Sequence, residues 1–149
     1  MKTILFNPFE RYRETMLVAF GGIATIAGSV LAGLFSTRYD GILDTHYAIS
    51  IAFYHPFLEN IINVGILTIL LYLVANYLNR KTRLVDIFAT CLVARTPLYI
   101  LPLFNINNFM GRMGNQVMQN IIHHNQTFQI HGVVPLIVIT IVMIFAFIW

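Results

Sequence analysis

Four long runs of apolar residues dominate the chain, and each has about the length of a membrane-spanning helix. They cover residues 16–35, 61–78, 87–104 and 133–149. A helix that rises ~1.5 Å per residue needs about 20 residues to cross ~30 Å of hydrocarbon. In each run the apolar side chains surround the helix, whereas a helix of a soluble bundle keeps them on one stripe. The pattern predicts an all-α, polytopic membrane protein with four transmembrane helices in a single domain, residues 1–149.

Two further segments, residues 4–16 and 109–122, place apolar and polar residues on opposite faces of a helix. In the second segment Phe109, Met113 and Val117 recur every four residues, and polar residues occupy the other faces. Such helices lie in the membrane interface with the apolar face towards the acyl chains. We therefore expect two short amphipathic interfacial helices. Recruitment of a partner is the alternative use of these faces.

The composition supports a membrane protein and argues against other classes. Of the 149 residues, 58% are apolar and 10% are charged, whereas a soluble domain has ~25% charged residues. Disorder requires the opposite composition, low hydrophobicity with high charge. The net charge of +3 is small and scattered, so we expect the lipid bilayer and no nucleic acid as a partner. The single cysteine, Cys91, excludes an intrachain disulfide and a cysteine-built metal site.

The basic residues predict the orientation in the membrane. Six of the nine lie in the N-terminal tail or between the second and third runs: Lys2, Arg11, Arg13, Arg80, Lys81 and Arg83. The other two connections hold one each, Arg38 and Arg112. Because Lys and Arg accumulate on the cytoplasmic side, we expect the N-terminus and residues 79–86 there, in a bacterial inner membrane.

The ninth basic residue, Arg95, lies at the centre of the third run. A charge at that depth costs about 2.5–3.5 kcal/mol on insertion scales. Asp86 is ~13.5 Å away along a helix and on another face, so it cannot compensate the charge. Hydroxyl groups of the first two runs are candidate partners: Thr25, Ser29, Thr68 and Tyr72.

Pro97 and Pro102 predict a kinked or broken third helix. Each lacks an N–H and frees a carbonyl four residues earlier, at Val93 and Leu98, to which a guanidinium could donate. Two interpretations of Arg95 stay open. It has a structural role, in which it pins the broken helix to its neighbours or snorkels to an interface, or it forms with the two prolines an anion site for a lipid headgroup or a solute carboxylate, as in the broken helices of transporters.

Small residues repeat at four-residue spacing in the first run, at Ala24, Gly28 and Ala32. This spacing lets two helix backbones approach closely. Packing within the chain and homo-oligomerisation through the first helix both use such a stripe.

No arrangement of residues points to catalysis. The five histidines fall in the two outer connections, where imidazole and carboxylate together would suit zinc. However, no H-x-x-E-H or H-E-x-x-H spacing occurs, and no phosphate-binding glycine loop or nucleophile–histidine arrangement can be placed. We expect a protein that is not an enzyme and has no cofactor and no metal.

The order of these features resembles bacterial members of the Yip-domain family. The most telling residues are N-P-F at 7–9 and A-R-T-P at 94–97, and an R-Y-D-G turn at 38–41 lies between them. The resemblance covers the whole chain and implies a compact helical membrane domain with five spans and a cytosolic N-terminus. Eukaryotic relatives are Golgi proteins that interact with Rab GTPases and act as membrane anchors or adaptors.

The chain departs from this family in two respects. It ends on Ile148-Trp149 without a polar flank, so we expect a truncated C-terminus that lacks the family's fifth span. It also lacks the long cytosolic N-terminal region of the eukaryotic relatives, so Rab binding is not carried over. The expected function is a non-enzymatic membrane scaffold or adaptor of the Yip type that binds another membrane protein. The alternative is a transporter-like protein that handles a small solute or a lipid through Arg95.

Overall fold

The computed structural model describes residues 12–122 together with residues 137–138, 140–142 and 144–145. In these residues the chain is mainly helical, which confirms the all-α class. The four α-helices are α1 Glu14–Leu34, α2 His55–Leu78, α3 Leu84–Ala94 and α4 Phe109–Ile122. A 3-10 helix, Thr96–Asn108, joins α3 to α4. Between α1 and α2 two short strands pair antiparallel, β1 Thr37–Arg38 and β2 His46–Tyr47, and we call residues 36–48 the hairpin.

Three helical stretches are long and apolar enough to cross a membrane: Glu14–Leu34, His55–Leu78 and Leu84–Gln116. They confirm a membrane protein with transmembrane helices. The first two contain nearly all of the predicted first and second runs. The predicted fourth run, 133–149, and the amphipathic segment 4–16 lie largely outside the described residues, although those described within the fourth run are helical.

Helices α1, α2 and α3 pack against one another and run in alternating directions. At one end Arg83 contacts the carboxylate of Glu14, and its Nη2 lies 2.9 Å from Oδ1 of Asp86. We call this the loop end, since the connection between α2 and α3 lies there. At the opposite end α1 finishes and α2 begins, and we call it the hairpin end.

The third apolar run is not a continuous α-helix. α3 ends at Ala94, the chain goes on as a 3-10 helix, and the backbone leaves helical geometry at residues 105–107. Pro97 and Pro102 lack the N–H that an α-helix needs, and a proline disfavours the α conformation of the residue before it. Leu98 N–H therefore donates to the carbonyl of Arg95, three residues earlier, at 3.0 Å. The predicted third span over 87–104 is α-helical only as far as Ala94.

The small residues of α1 let this third stretch approach closely. Gly28 and Ala32 are buried, and Ala24 packs against the cluster formed by Ala32, Tyr39 and Tyr99. An ideal Cβ on Gly28 would lie 2.3 Å from Cγ of Tyr99. The predicted stripe of small residues thus packs within the chain.

The outward face of α2 is apolar along its length, as expected for contact with lipid. Its exposed side chains include Ile61, Ile62, Ile66, Ile69, Leu70, Leu73 and Val74. The polar residues of α2 that are buried, Asn60, Asn63 and Thr68, face the other helices instead. Because apolar exposure of this extent is unfavourable in water, the face is suited to a bilayer.

Helix α4 has the bounds predicted for the second amphipathic segment. It packs against the 3-10 helix, with Met110 buried and Met118 and Ile122 exposed. Its first turn lies at the hairpin end, next to the end of α1. That it lies flat in the membrane interface stays a prediction.

A single buried amide determines where α4 begins. Oδ1 of Asn105 accepts hydrogen bonds from the N–H groups of Met110 at 3.1 Å and Gly111 at 3.3 Å, which serve as N-terminal capping contacts. Its Nδ2 donates to the carbonyl of Phe35, at the end of α1. Asn105 thereby joins the last turn of α1 to the first turn of α4.

The close approach at Gly28 gives a stability prediction. We expect Gly28→Ala to lower the free energy of unfolding by about 1–3 kcal/mol, because the added methyl group overpacks the Tyr99 ring. Gly22→Ala is the matched control in the same helix, since an added Cβ there meets nothing within 4 Å. Thermal unfolding in detergent measures the difference, with a thiol dye reporting exposure of the buried Cys91. Equal melting temperatures for the two variants would contradict the packing of α1 described above.

Candidate functional site

Arg95 caps the C-terminus of α3, and only 1% of the residue is exposed. Its Nη2 donates to Oδ1 of Asn60 at 3.0 Å, and its Nη1 donates to the carbonyl of Ile42 in the hairpin. Its Nε is buried and has no hydrogen-bond partner among the described residues. Arg95 therefore connects α3 to α2 and to the hairpin.

This position differs from the predicted one in depth and in partners. Asn60 lies five residues after the start of α2, so the guanidinium contacts α2 ~7.5 Å inside the hairpin end rather than halfway along the bundle. The carbonyls of Val93 and Leu98, predicted as acceptors, do not bind it in the structure. Two of the guanidinium donors are directed instead to Asn60 on α2 and to the hairpin.

The predicted hydroxyl groups are not direct partners of Arg95 either, but two of them belong to its surroundings. Asn60 Nδ2 donates to Oγ of Ser29 at 2.9 Å, and Ser29 Oγ donates to the carbonyl of Thr25 at 2.8 Å. The Thr25 and Tyr99 hydroxyl oxygens are 3.0 Å apart. A chain of hydrogen bonds therefore runs from the guanidinium through α2 and α1 to the 3-10 helix.

Hydrogen bonds and ring packing from α1, α2 and the 3-10 helix hold the hairpin over this cluster. Asn63 Nδ2 donates to the carbonyl of Tyr39 at 2.7 Å and to that of Gly41 at 3.1 Å. The Tyr39 hydroxyl donates to the carbonyl of Gly28 at 3.2 Å, and its ring meets that of Tyr99 edge-on, with centroids 5.7 Å apart. Asn63, Gly28 and Tyr99 thus hold one hairpin residue, Tyr39, whose own exposure is 0%.

The far strand of the hairpin is tied to the 3-10 helix. The Tyr47 hydroxyl donates to the carbonyl of Leu101 at 3.2 Å. Burial raises the pKa of Tyr47 to about 12, so the hydroxyl keeps the proton that it donates across the ordinary pH range.

Charged groups close the hairpin on its exposed side. Glu59, next to Asn60 in α2, accepts from Nε of Arg38 at 2.7 Å and from the backbone N–H of Tyr39 at 2.8 Å. The hydrogen bond to Glu59, followed by the charges of Glu59 and Asp40, raises the pKa of the Arg38 guanidinium above its usual value. Asp40 Oδ2 lies 3.0 Å from Nδ1 of His46. Because these groups are partly exposed, they contribute less to stability than the buried contacts.

The two prolines proposed for an anion site shape the chain around Arg95 rather than contact it. Pro97 is half-buried at the start of the 3-10 helix and Pro102 is fully buried inside it. Among the described residues, no group of three or more His, Cys, Asp or Glu side chains could hold a metal ion. His123, His124 and His131 lie outside that part of the chain.

Sequence reasoning missed the three side chains that organise the site from α2: Glu59, Asn60 and Asn63. The second apolar run begins at residue 61, so hydropathy places Glu59 and Asn60 in a solvated connection, and Asn63 is an uncharged residue inside the run. Their spacing of one and four residues, which places all three near one face of a helix, was the available signal.

The hydrogen bonds that Asn60 accepts from Arg95 and donates to Ser29 give a second stability prediction. We expect Asn60→Ala to lower the free energy of unfolding by about 1–3 kcal/mol, since it leaves a buried guanidinium with fewer acceptors. Asn115→Ala, at an exposed position of α4, is the control for loss of an asparagine. The thiol-dye assay on Cys91 compares the two, and equal melting curves would show that the Asn60 bond adds no stability.

Comparison with protein-family models, with curated proteins and with solved structures finds no match for this chain. The similarity to the Yip-domain family therefore stays a prediction from the sequence.

Proposed function

We propose that the protein is an integral membrane scaffold or adaptor of the Yip type that catalyses no reaction. The observation that supports this function is the meeting of two segments on which the family resemblance depends. Residues 38–41 lie in the hairpin, and residues 94–97 connect α3 to the 3-10 helix. Arg95 of the second segment binds the carbonyl of Ile42, which follows the first segment, and Tyr39 of the first segment packs on Tyr99, which lies just after the second. Residues that are far apart in sequence thus form one structural unit.

The use of the buried polar groups also favours a scaffold. Arg95, Asn60, Asn63 and Asn105 each bond to an element other than their own, either the hairpin or α1 and its C-terminal cap. Polar groups employed in this way give the hairpin end a defined shape, which is what a docking protein requires.

The proposal includes the number of membrane spans and their orientation. We infer four transmembrane helices, with residues 133–149 as the fourth, in a bacterial cytoplasmic membrane. The loop end then faces the cytoplasm, where Arg80 and Lys81 are exposed, while Arg83 is paired with Glu14 and Asp86. The exposed cations would be available to a partner and to anionic headgroups.

A second candidate function, handling of a small solute or a lipid, is favoured by one observation. Arg95 is a buried cation whose bonding partners are an amide oxygen and a backbone carbonyl. Within the described part of the chain, no carboxylate forms an ion pair with it.

Orientation can be tested by cysteine labelling in the Cys91→Ser background, which leaves no other cysteine. We expect Lys81→Cys, at the loop end, to react with a membrane-impermeant thiol reagent only after the cells are opened. Leu43→Cys, exposed in the hairpin, should react in intact cells with an outer membrane made permeable. The reverse pattern would overturn the proposed orientation.

The adaptor function predicts a specific protein contact at the loop end. A photo-crosslinking amino acid at Arg80 or Tyr77, both exposed, should give a discrete protein adduct in living cells. The matched control is Ile66 on the lipid-facing side of α2, where we expect lipid adducts alone. Indistinguishable adducts from Arg80 and Ile66 would contradict an adaptor that binds through this end.

A further inference from the structure

We propose that the hairpin is a lid over an anion site, in which the Arg95 guanidinium binds a carboxylate or phosphate group when the lid opens. This inference deepens the second candidate function, the handling of a small solute or a lipid through Arg95, and rests on that function rather than on the adaptor function. It rests on the unused donors of Arg95, the uncompensated charge and the way in which the hairpin covers both.

Arg95 has N–H donors that the closed state does not use. A guanidinium carries five N–H donors and has no acceptor. In the structure Arg95 donates to two oxygens, and its Nε has no partner although it is buried. A buried donor without an acceptor is unfavourable, so the closed state leaves Arg95 with unused binding capacity.

The positive charge of Arg95 meets only neutral acceptors among the residues that the structure describes. Both oxygens that bind Arg95 belong to neutral groups, the side-chain amide of Asn60 and the backbone carbonyl of Ile42. A carboxylate or phosphate matches the planar fork of a guanidinium and binds it through two parallel hydrogen bonds. One such anion would satisfy Nε and neutralise the charge together.

The hairpin controls access to the guanidinium. Leu92 and Val93, which precede Arg95 on α3, are buried and apolar, so that side offers no polar route. On the other side lies the hairpin, whose Ile42 carbonyl occupies one donor of Arg95. Its strands are two residues each, and so short a pair is marginal without its fastenings. Opening the hairpin frees that donor and leads directly to the guanidinium.

The groups beneath the lid suit an anion. Asn60, Ser29, Thr25 and Tyr99 form one hydrogen-bonded cluster next to Arg95, and these amide and hydroxyl groups are polar and carry no negative charge that would repel an anion. Exposed apolar side chains adjoin the hairpin, among them Leu43, Ile49 and Phe53. The same carboxylate or phosphate chemistry is therefore offered both to a soluble anion and to a lipid headgroup.

Thermal unfolding of the whole chain in lipid nanodiscs tests the site, with the thiol dye on Cys91 as reporter. One arm adds inorganic phosphate to phosphatidylcholine nanodiscs, with chloride at equal ionic strength as reference. The other arm replaces part of the phosphatidylcholine with phosphatidylglycerol. We expect the wild-type melting temperature to rise by about 2–4 °C in at least one arm.

The variants identify the residue responsible. The rise should be smaller in Arg95→Lys, which keeps the charge without the fork, and absent in Arg95→Leu. In the phosphate arm it should be unchanged in Arg80→Leu, which removes an exposed cation at the loop end. A rise with phosphate assigns the site to soluble anions, and a rise with phosphatidylglycerol alone assigns it to headgroups. The absence of any rise that depends on Arg95, in both arms, overturns the site.

Asn63→Ala tests the lid and keeps Arg95 intact, which also covers the case in which Arg95→Leu does not fold. Asn63 holds the carbonyls of Tyr39 and Gly41, so its loss raises the fraction of open hairpin. Apparent affinity rises with the fraction of molecules in the open, binding-competent state. We therefore expect the anion that stabilises the wild type to reach half of its effect at a several-fold lower concentration in Asn63→Ala, although this variant melts at a lower temperature without the anion. An unchanged midpoint overturns the lid.

Discussion

The need to surround a guanidinium inside an apolar bundle governs the hairpin end of this protein. Arg95 is nearly inaccessible to solvent, and a charge so placed persists only where oxygens replace water around it. Asn60 supplies one of these oxygens and the hairpin supplies the other. The folding of residues 36–48 back over the helices, which would otherwise be a simple connection, is thus linked to a residue more than fifty positions later.

Different interactions hold the helices together at the two ends of the bundle. Towards the loop end the helices meet through apolar clusters, Leu17 with Ala89 and Val93, and Val64 with Cys91 and Leu92. At the hairpin end amides, hydroxyls and backbone carbonyls take over. Apolar packing is insensitive to direction, whereas hydrogen bonds require a defined geometry. The hairpin end therefore has the more sharply specified shape, and it also responds more strongly to water or to a competing polar group.

Hydropathy alone located the first two helices, because the cost of exposing backbone in hydrocarbon leaves few alternatives to a helix of spanning length. Pro97 and Pro102 likewise indicated the break after Ala94, since the effect of a proline is local. The partners of Arg95 could not be predicted in this way. Ile42 contributes through its backbone carbonyl, which any residue carries, and Asn60 stood at the edge of an apolar run. Contacts between distant segments depend on how the helices align, and hydrophobic periodicity does not encode that alignment.

The amide of Asn105 has a mechanical consequence. It binds the final carbonyl region of α1 through its nitrogen and the opening turn of α4 through its oxygen, so the two helices share a pivot of a few ångströms. A membrane helix tilts when the bilayer becomes thinner than its apolar length. With this pivot, we expect a tilt of α1 to change the inclination of α4 at the membrane surface. The orientation of an amphipathic helix would then depend on the thickness of the bilayer.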